Sequence, residues 1–449
     1  MVKFLDGFTS KLLMWGEMIS QQRHLKAIRD GMVAATPLAL LGGMTLIVTS
    51  PPVNLKTMQA TNFVFKLLIM WKQWAVENGL AVELLFRASM GMMALFICLA
   101  IANSLAKSYK MNEISQVVIA GVSFLLSAAP SNLAVMQTVL SQTKDIQAAL
   151  KSQVMAIPMT YLGAEGIFTA IIVALLTVEL SRLLTKGKIY IKLPESVPAP
   201  VQASFASIIP LVFNALLVFF LSLFVQKTTN GMLIPDLVKS LFKPLVVAID
   251  SPLGIVLISV ITQILWLAGL HGSSIVSGLI GAFEIGNLVK NAEVVSQGMM
   301  PEFVYTEPFR AFFMILGGAG ATLALNIIML RSSSKQLRTL GKLAIVPSIF
   351  NINEPLIFGL PIVLNPILAL PFILVQTING LLTYFVMRYD VLAKTFTYVP
   401  WTTPAPIGAA LSTMSIGAFF WVMLLVILDM IIWYPFYKTY EKQLNSQDN

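Results

Sequence analysis

What most limits this chain is a set of long stretches with almost no polar face. Residues 211–225 read LVFNALLVFFLSLFV, apolar around nearly the whole circumference of a helix. Lipid requires every backbone N–H and C=O to be satisfied internally, which leaves helices and closed barrels. Barrel strands alternate polar and apolar over about ten residues, and these runs do not. Stretches of about 20 apolar residues cross a hydrocarbon core of about 30 Å, and they recur through the 449 residues. Composition agrees, with 57% hydrophobic and only 11% charged residues, against about 25% charged in soluble domains. The predicted fold class is all-α, a polytopic membrane protein of about ten crossings.

The crossings are expected near 26–49, 82–106, 115–135, 164–185, 202–226, 252–270, 273–289, 305–330, 361–388 and 415–437. Lys107 with Lys110, the cluster Arg182 to Lys192, the cluster Arg331 to Lys342, and Lys438 with Lys442 fall in the short connections. By the positive-inside rule these are cytoplasmic loops, and both termini lie inside a bacterial cytoplasmic membrane. The net charge of +9 is thus topological; without aromatic interleaving or an amphipathic basic face it does not indicate a nucleic-acid partner.

A polar, proline-rich segment at 186–204 separates an N-terminal domain, 1–230, from a C-terminal domain, 231–449. Two amphipathic helices are expected to lie along the interface. One carries Phe4, Phe8, Leu12, Trp15 and Ile19 on one face; the other, at 236–249, carries Leu237, Leu241, Phe242 and Leu245. Cys98 sits alone in an apolar run, so neither a disulfide framework nor a metal site is expected, and no cofactor motif is present.

The polar residues inside the apolar half carry the functional signal. Segment 343–366 is long enough to span, yet it holds Pro347, Pro355, Pro361 and Pro366 with Asn351, Asn353, Glu354 and Asn365. Interior prolines remove backbone hydrogen bonds, and a carboxylate at mid-membrane costs at least about 2.5–3.5 kcal/mol. The segment is therefore predicted to be a broken or re-entrant hairpin lining a wet cavity. Segment 397–413 repeats the pattern, with Pro400, Pro404 and Pro406 around Trp401, Thr402 and Thr403. His271 lies between Gly269 and Gly272. An imidazole, a carboxylate and amides can pair with vicinal hydroxyls while Trp401 or Trp266 packs on the apolar face of a ring, which outlines a polyol site. The candidate binding residues are His271, Asn351, Asn353, Glu354, Trp401, Thr402 and Arg87, with His271 and Glu354 also the catalytic candidates. Glu307 and Arg310 are read as a local pair, Gly317, Gly318 and Gly320 as close helix packing, and Gln263, Gln376, Asn379 and Asp429 as interhelical hydrogen-bonding groups.

At these residues the sequence resembles a known family. FNINEPLIFGLPIVLNP (350–366), GGAGATLAL (317–325), VPWTTP (399–404) and YPFYKTYEK (434–442) are similar to the sugar permease, enzyme IIC, of the lactose/cellobiose phosphotransferase system. The resemblance implies a homodimer whose second half carries the sugar in an elevator-like movement, with His271 and Glu354 on the sugar and Asn353 beside them. It also implies a disaccharide substrate, a phosphorylated IIB partner and IIA upstream. The lone Cys98 in its apolar run and the short tail after the last span depart from lactose-type members with a fused IIB domain, so IIB and IIA are expected on separate chains, as in the cellobiose or chitobiose branch. The alternative from the residues alone is a proton-coupled sugar carrier using Glu354.

Overall fold

The computed structural model describes residues 22–49, 51, 63–129, 157–229, 231–360, 362 and 365–447. The amphipathic segment expected at Phe4 to Ile19 lies outside them. Every regular element among the described residues is helical. In chain order the main helices are α1 (Arg23–Ala34), α2 (Thr36–Thr49), α3 (Phe63–Ala88), α4 (Met93–Ser108), α5 (Glu113–Ala128), α6 (Ile167–Lys186), α7 (Ala199–Thr228) and α8 (Ile234–Ile249). They continue as α9 (Pro252–Leu267), α10 (Gly272–Ser296), α11 (Leu323–Met329), α12 (Lys335–Ile349), α13 (Glu354–Gly359), α14 (Pro366–Arg388), α15 (Ala405–Thr413) and α16 (Ile416–Gln447).

Seven helical segments are long and apolar enough to cross a membrane, and the pair α8 and α9, bent by 75°, makes an eighth candidate. The chain is an integral membrane protein of helical type. Several expected crossings look different in the structure: 26–49 is divided at Ala35 between α1 and α2, and 82–106 is divided between the end of α3 and α4. Helix α5 has only 16 residues. Stretch 305–330 is not one rod: Glu307–Phe309 leads into a π-helical turn, Arg310–Met314, then a loop, then α11. The loop is where Gly317, Gly318 and Gly320 lie, at φ 76°, 104° and 76°. These glycines supply left-handed backbone, which corrects their reading as helix-packing residues.

The helices form two compact units. One comprises Asp30–Ala35 and Gly91–Lys243. Here α4 buries Ile97, Cys98, Ile101, Ala102 and Leu105, and α6 buries Ala170, Ala174, Val178 and Ser181, at helical spacing. Among lipids no hydrophobic gain accrues from helix contact, so close approach of small residues and interhelical hydrogen bonds hold the bundle. The Asn214 amide donates to Ser181 Oγ at 3.2 Å accordingly. The amphipathic α8 attaches by Asp236, Lys239 and Phe242, three residues apart: Tyr161 donates to Asp236 at 2.6 Å, Lys239 pairs with Glu165, and Phe242 stacks on Phe168 at 4.6 Å. Leu241 and Val247 of α8 stay exposed.

The other unit comprises the described residues of Met1–Arg29, with Thr36–Met90 and Pro244–Asn449. Its core joins Phe309, just before the π turn, and Phe312 and Phe313 within it to Phe372 of α14 and to Trp433 and Tyr437 of α16. Buried polar pairs cross it, as the sequence led one to expect: Gln263 donates to Gln376, Thr377 to Ser259 at 2.9 Å, and Asn379 to Asp429 at 3.0 Å. Arg310, however, pairs with Glu284 of α10 at 2.5 Å and not with Glu307. The guanidinium sits in a π turn, and Glu307 is left with a buried Oε2 that has no hydrogen-bond partner.

Candidate functional site

Helices α9 and α10 form a sharp hairpin that presents His271. Gly269, at φ 82°, closes α9, with its N–H donating to Trp266 O at 2.9 Å. A side chain on Gly272 would strike Thr262 O at 2.1 Å, so only glycine lets α10 begin there. His271 is the N-cap of α10: its Nδ1 accepts the Ser274 N–H at 3.1 Å. A nitrogen that accepts carries no proton, so the neutral ring holds its hydrogen on Nε2. Trp266 braces the ring at 4.4 Å between centroids and is itself fixed by donating to Ser273 Oγ at 3.2 Å.

The second component is the broken segment expected at 343–366. Helix α12 ends at Ile349, the chain turns through Asn351 at φ 62°, and α13 starts at Glu354 and runs only to Gly359. A side chain at Gly359 would meet Leu340 Cδ1 at 2.5 Å, which places α13 back against α12 as a hairpin. The tip is held by two amides. Asn351 accepts the Gly317 N–H at 3.0 Å and donates to Trp401 O at 2.7 Å and Thr403 O at 2.9 Å. Asn353 donates to Ala319 O and Thr322 Oγ1, each at 2.7 Å. The glycine loop is further pinned where the Gly320 N–H donates to Gln376 Oε1 at 3.0 Å.

The third component is the 397–413 segment. The Phe396 and Thr397 N–H groups donate to Ser412 O at 2.9 and 3.2 Å, folding the strand-like stretch back along α15. Its turn closes with the Thr403 N–H on Pro400 O at 2.8 Å. Trp401 lies at that turn, half exposed, with Thr402 half-buried beside it.

These elements bring His271 Nε2 to 3.8 Å from Glu354 Oε1, with side-chain exposures of 51% and 45%. That separation is too long for a direct hydrogen bond, but a hydroxyl oxygen about 2.8 Å from each atom fits at the apex between them. It would accept from Nε2–H and donate to the carboxylate. Asn351 and Asn353 instead direct their amides into the frame, and Arg87 pairs with Glu83 at 3.1 Å on its own helix, α3. In the sequence the glycines read as helix packing and Gln376 as an interhelical hydrogen-bonding group; their shared part in holding the loop was missed, and the run GGAG was the available clue to left-handed backbone. A cavity of about 750 Å³ opens beside this hairpin, lined by Leu340, Leu343, Gly359 and Tyr440. It borders the base of α12 and α13 and not the imidazole–carboxylate pair, and the convergence of chemistry identifies the latter as the candidate site. No group of three potential metal ligands occurs among the described residues.

The comparisons with known proteins place the chain as a whole in a family. The family profile described as Phosphotransferase system, EIIC matches residues 29–375. The lichenan permease IIC component of Bacillus subtilis (strain 168) is 33% identical over 435 residues, covering 96% of this chain and 92% of that protein. The cellobiose-specific EIIC component of Geobacillus stearothermophilus is 33% identical over 455 residues, covering 100% and 96%. The crystal structure of the transporter ChbC, the IIC component from the N,N'-diacetylchitobiose-specific phosphotransferase system, superposes with a TM-score of 0.83 at 30% identity, over 97% of this chain and 98% of that one. The chain belongs to the phosphotransferase system EIIC family. It is a membrane IIC component, of a class that works with a sugar and a IIB protein.

Proposed function

We propose that this chain takes up a β-linked disaccharide of the cellobiose or diacetylchitobiose kind and presents its 6-hydroxyl to phosphorylated IIB. The observation that carries the reading is the convergence of His271 Nε2 and Glu354 Oε1 on one exposed point. The hydroxyl bound there accepts from His271 and donates to Glu354. As the sugar oxygen bonds to phosphorus, the bond from phosphorus to the IIB cysteine sulfur breaks, and Glu354 takes the hydroxyl proton. A positioned base contributes about 10²- to 10⁴-fold; the larger share comes from holding the alcohol in line with the donor. Trp401 supplies an apolar face for a sugar ring, and Thr402 a hydroxyl at the same turn. Asn351 and Asn353 act by positioning.

On this reading the chain works as a homodimer in the bacterial cytoplasmic membrane, with both termini inside and IIA recharging IIB. The C-terminal domain, 231–449, carries the sugar by elevator-type movement. The sugars for which these relatives are named, lichenan, cellobiose and diacetylchitobiose, support a β-linked oligosaccharide. The test is uptake into vesicles containing the purified chain. Without phosphorylated IIB the sugar should only equilibrate; with it, sugar phosphate should accumulate. Concentration of free sugar driven by a pH gradient alone would replace this function with that of a proton-coupled carrier.

A further inference from the structure

A second built site lies in the other unit. The ends of α4 and α6 and the starts of α5 and α7 surround a cavity of about 380 Å³. Helices α4, α6 and α7 belong to membrane-span candidates that end or begin here, so the cavity sits at one edge of the membrane. Its chemistry is cationic and hydroxylated. Lys110 and Lys186 line it, and neither has an ion-pair partner among the described residues. Arg182, also in the wall, is already neutralised: it pairs with Glu179 at 2.8 Å and lies 4.0 Å over the Tyr109 ring. Two uncompensated positive charges therefore remain, beside Ser115 and Ser207.

The independent observation is Gln116. It lines the same cavity, is 5% exposed, and its Oε1 has no hydrogen-bond partner. A buried acceptor left without a donor costs about 1–3 kcal/mol, so this oxygen calls for a ligand that donates. The rim is equally informative. Ile114, Leu183, Phe205 and Ile208, each next in sequence to a lining residue, stand exposed on α5, α6 and α7, whereas Ala203 and Ala206 line the cavity from α7. A ligand that fits must be anionic, must carry a hydroxyl, and must continue into apolar chains.

We propose that this cavity binds the headgroup of a hydroxylated anionic phospholipid, of the phosphatidylglycerol type. The phosphodiester lies between Lys110 and Lys186, the glycerol hydroxyls donate to Gln116 Oε1, and the acyl chains run over Leu183, Phe205 and Ile208. A phosphoglycerol group of about ten non-hydrogen atoms fits the volume, given about 30 Å³ for each water-sized group. Basic pockets between helices at a membrane edge bind anionic headgroups by this physics.

The test is native mass spectrometry of the full chain in neutral detergent, titrated with phosphatidylglycerol, phosphatidylcholine, phosphatidylethanol (the same charge without hydroxyls) and soluble glycerol phosphate. The wild type should retain one phosphatidylglycerol in preference to all three others. The pair Lys110→Gln with Lys186→Gln should weaken it by about 30-fold, and Lys110→Arg with Lys186→Arg should keep it. Gln116→Leu should erase the preference over phosphatidylethanol. Equal retention of phosphatidylcholine, or unchanged binding in the double Gln variant, would overturn the site. Binding of soluble glycerol phosphate as tight as the lipid would overturn its lipid character.

Discussion

Two neighbouring regions of one hairpin use polar residues in opposite ways. At Asn351 and Asn353 the amides are buried and committed, five hydrogen bonds between them reaching the glycine loop and the Pro400–Thr403 turn. One residue further on, the Glu354 side chain is 45% exposed and faces His271 across a gap of 3.8 Å. Burying an amide without partners costs more than a hydrogen bond returns, so the frame must be complete to exist at all. An exposed pair contributes little to stability and remains available to a ligand. The contrast separates residues that build the site from residues that use it.

The sharpest way to break that contrast is Gly318→Ala. Gly318 sits at φ 104°, and a Cβ there would lie 2.2 Å from Asn353 Cγ. Strain and clash together should cost roughly 3 kcal/mol or more, read as a large fall in the thermal unfolding midpoint in detergent; a midpoint near wild type would show the frame to be soft. Next comes Asn353→Ala, which removes the donor to Ala319 O and to Thr322 Oγ1, whose hydroxyl keeps only its bond to Gly317 O, and should cost about 1–3 kcal/mol. Glu354→Gln sharpens the comparison from the other side: its midpoint should stay within about 1 kcal/mol of wild type, while IIB-dependent sugar phosphorylation falls about 10²- to 10⁴-fold. Frame-sized destabilisation in that variant would abolish the distinction.

The smallest effect concerns pH. Outside the spans, hydrogen bonding to Lys394 at 2.5 Å holds the Asp390 carboxyl below the usual carboxylate range. A lowered folded-state value means that its contribution is complete above the ordinary pKa of about 3.9 and is lost as pH falls through the lowered value. Lys394→Met should flatten the acid limb of the stability profile at that point and leave it unchanged near neutrality, as thermal unfolding across pH would show.

Helices and membrane insertion were legible because lipid imposes a composition that no soluble fold shares, and α7 at 199–228 lies within a few residues of its expected place. The hairpin at 343–366 was legible for the same reason, since Pro347, Pro355 and Glu354 cannot face lipid in a straight rod. Stretch 305–330 was misread as one span because Ala311–Leu316 is an unbroken apolar run, and the π turn that packs against α14 and α15 leaves no mark in that composition. The division of labour between Asn351, Asn353 and Glu354 was hidden too: all three are polar groups at similar depth. What tells them apart is the carbonyls of Ala319, Trp401 and Thr403, far away in sequence.

The most direct measurement is thermal stabilisation of the purified chain by a panel of β-linked disaccharides, for wild type, His271→Ala and Glu354→Ala. A ligand at about 100 times its dissociation constant adds about 2.7 kcal/mol. The account predicts a clear upward shift for wild type with a cellobiose- or diacetylchitobiose-type sugar, and none for either variant at an unchanged starting midpoint. A shift of equal size in all three proteins would contradict it.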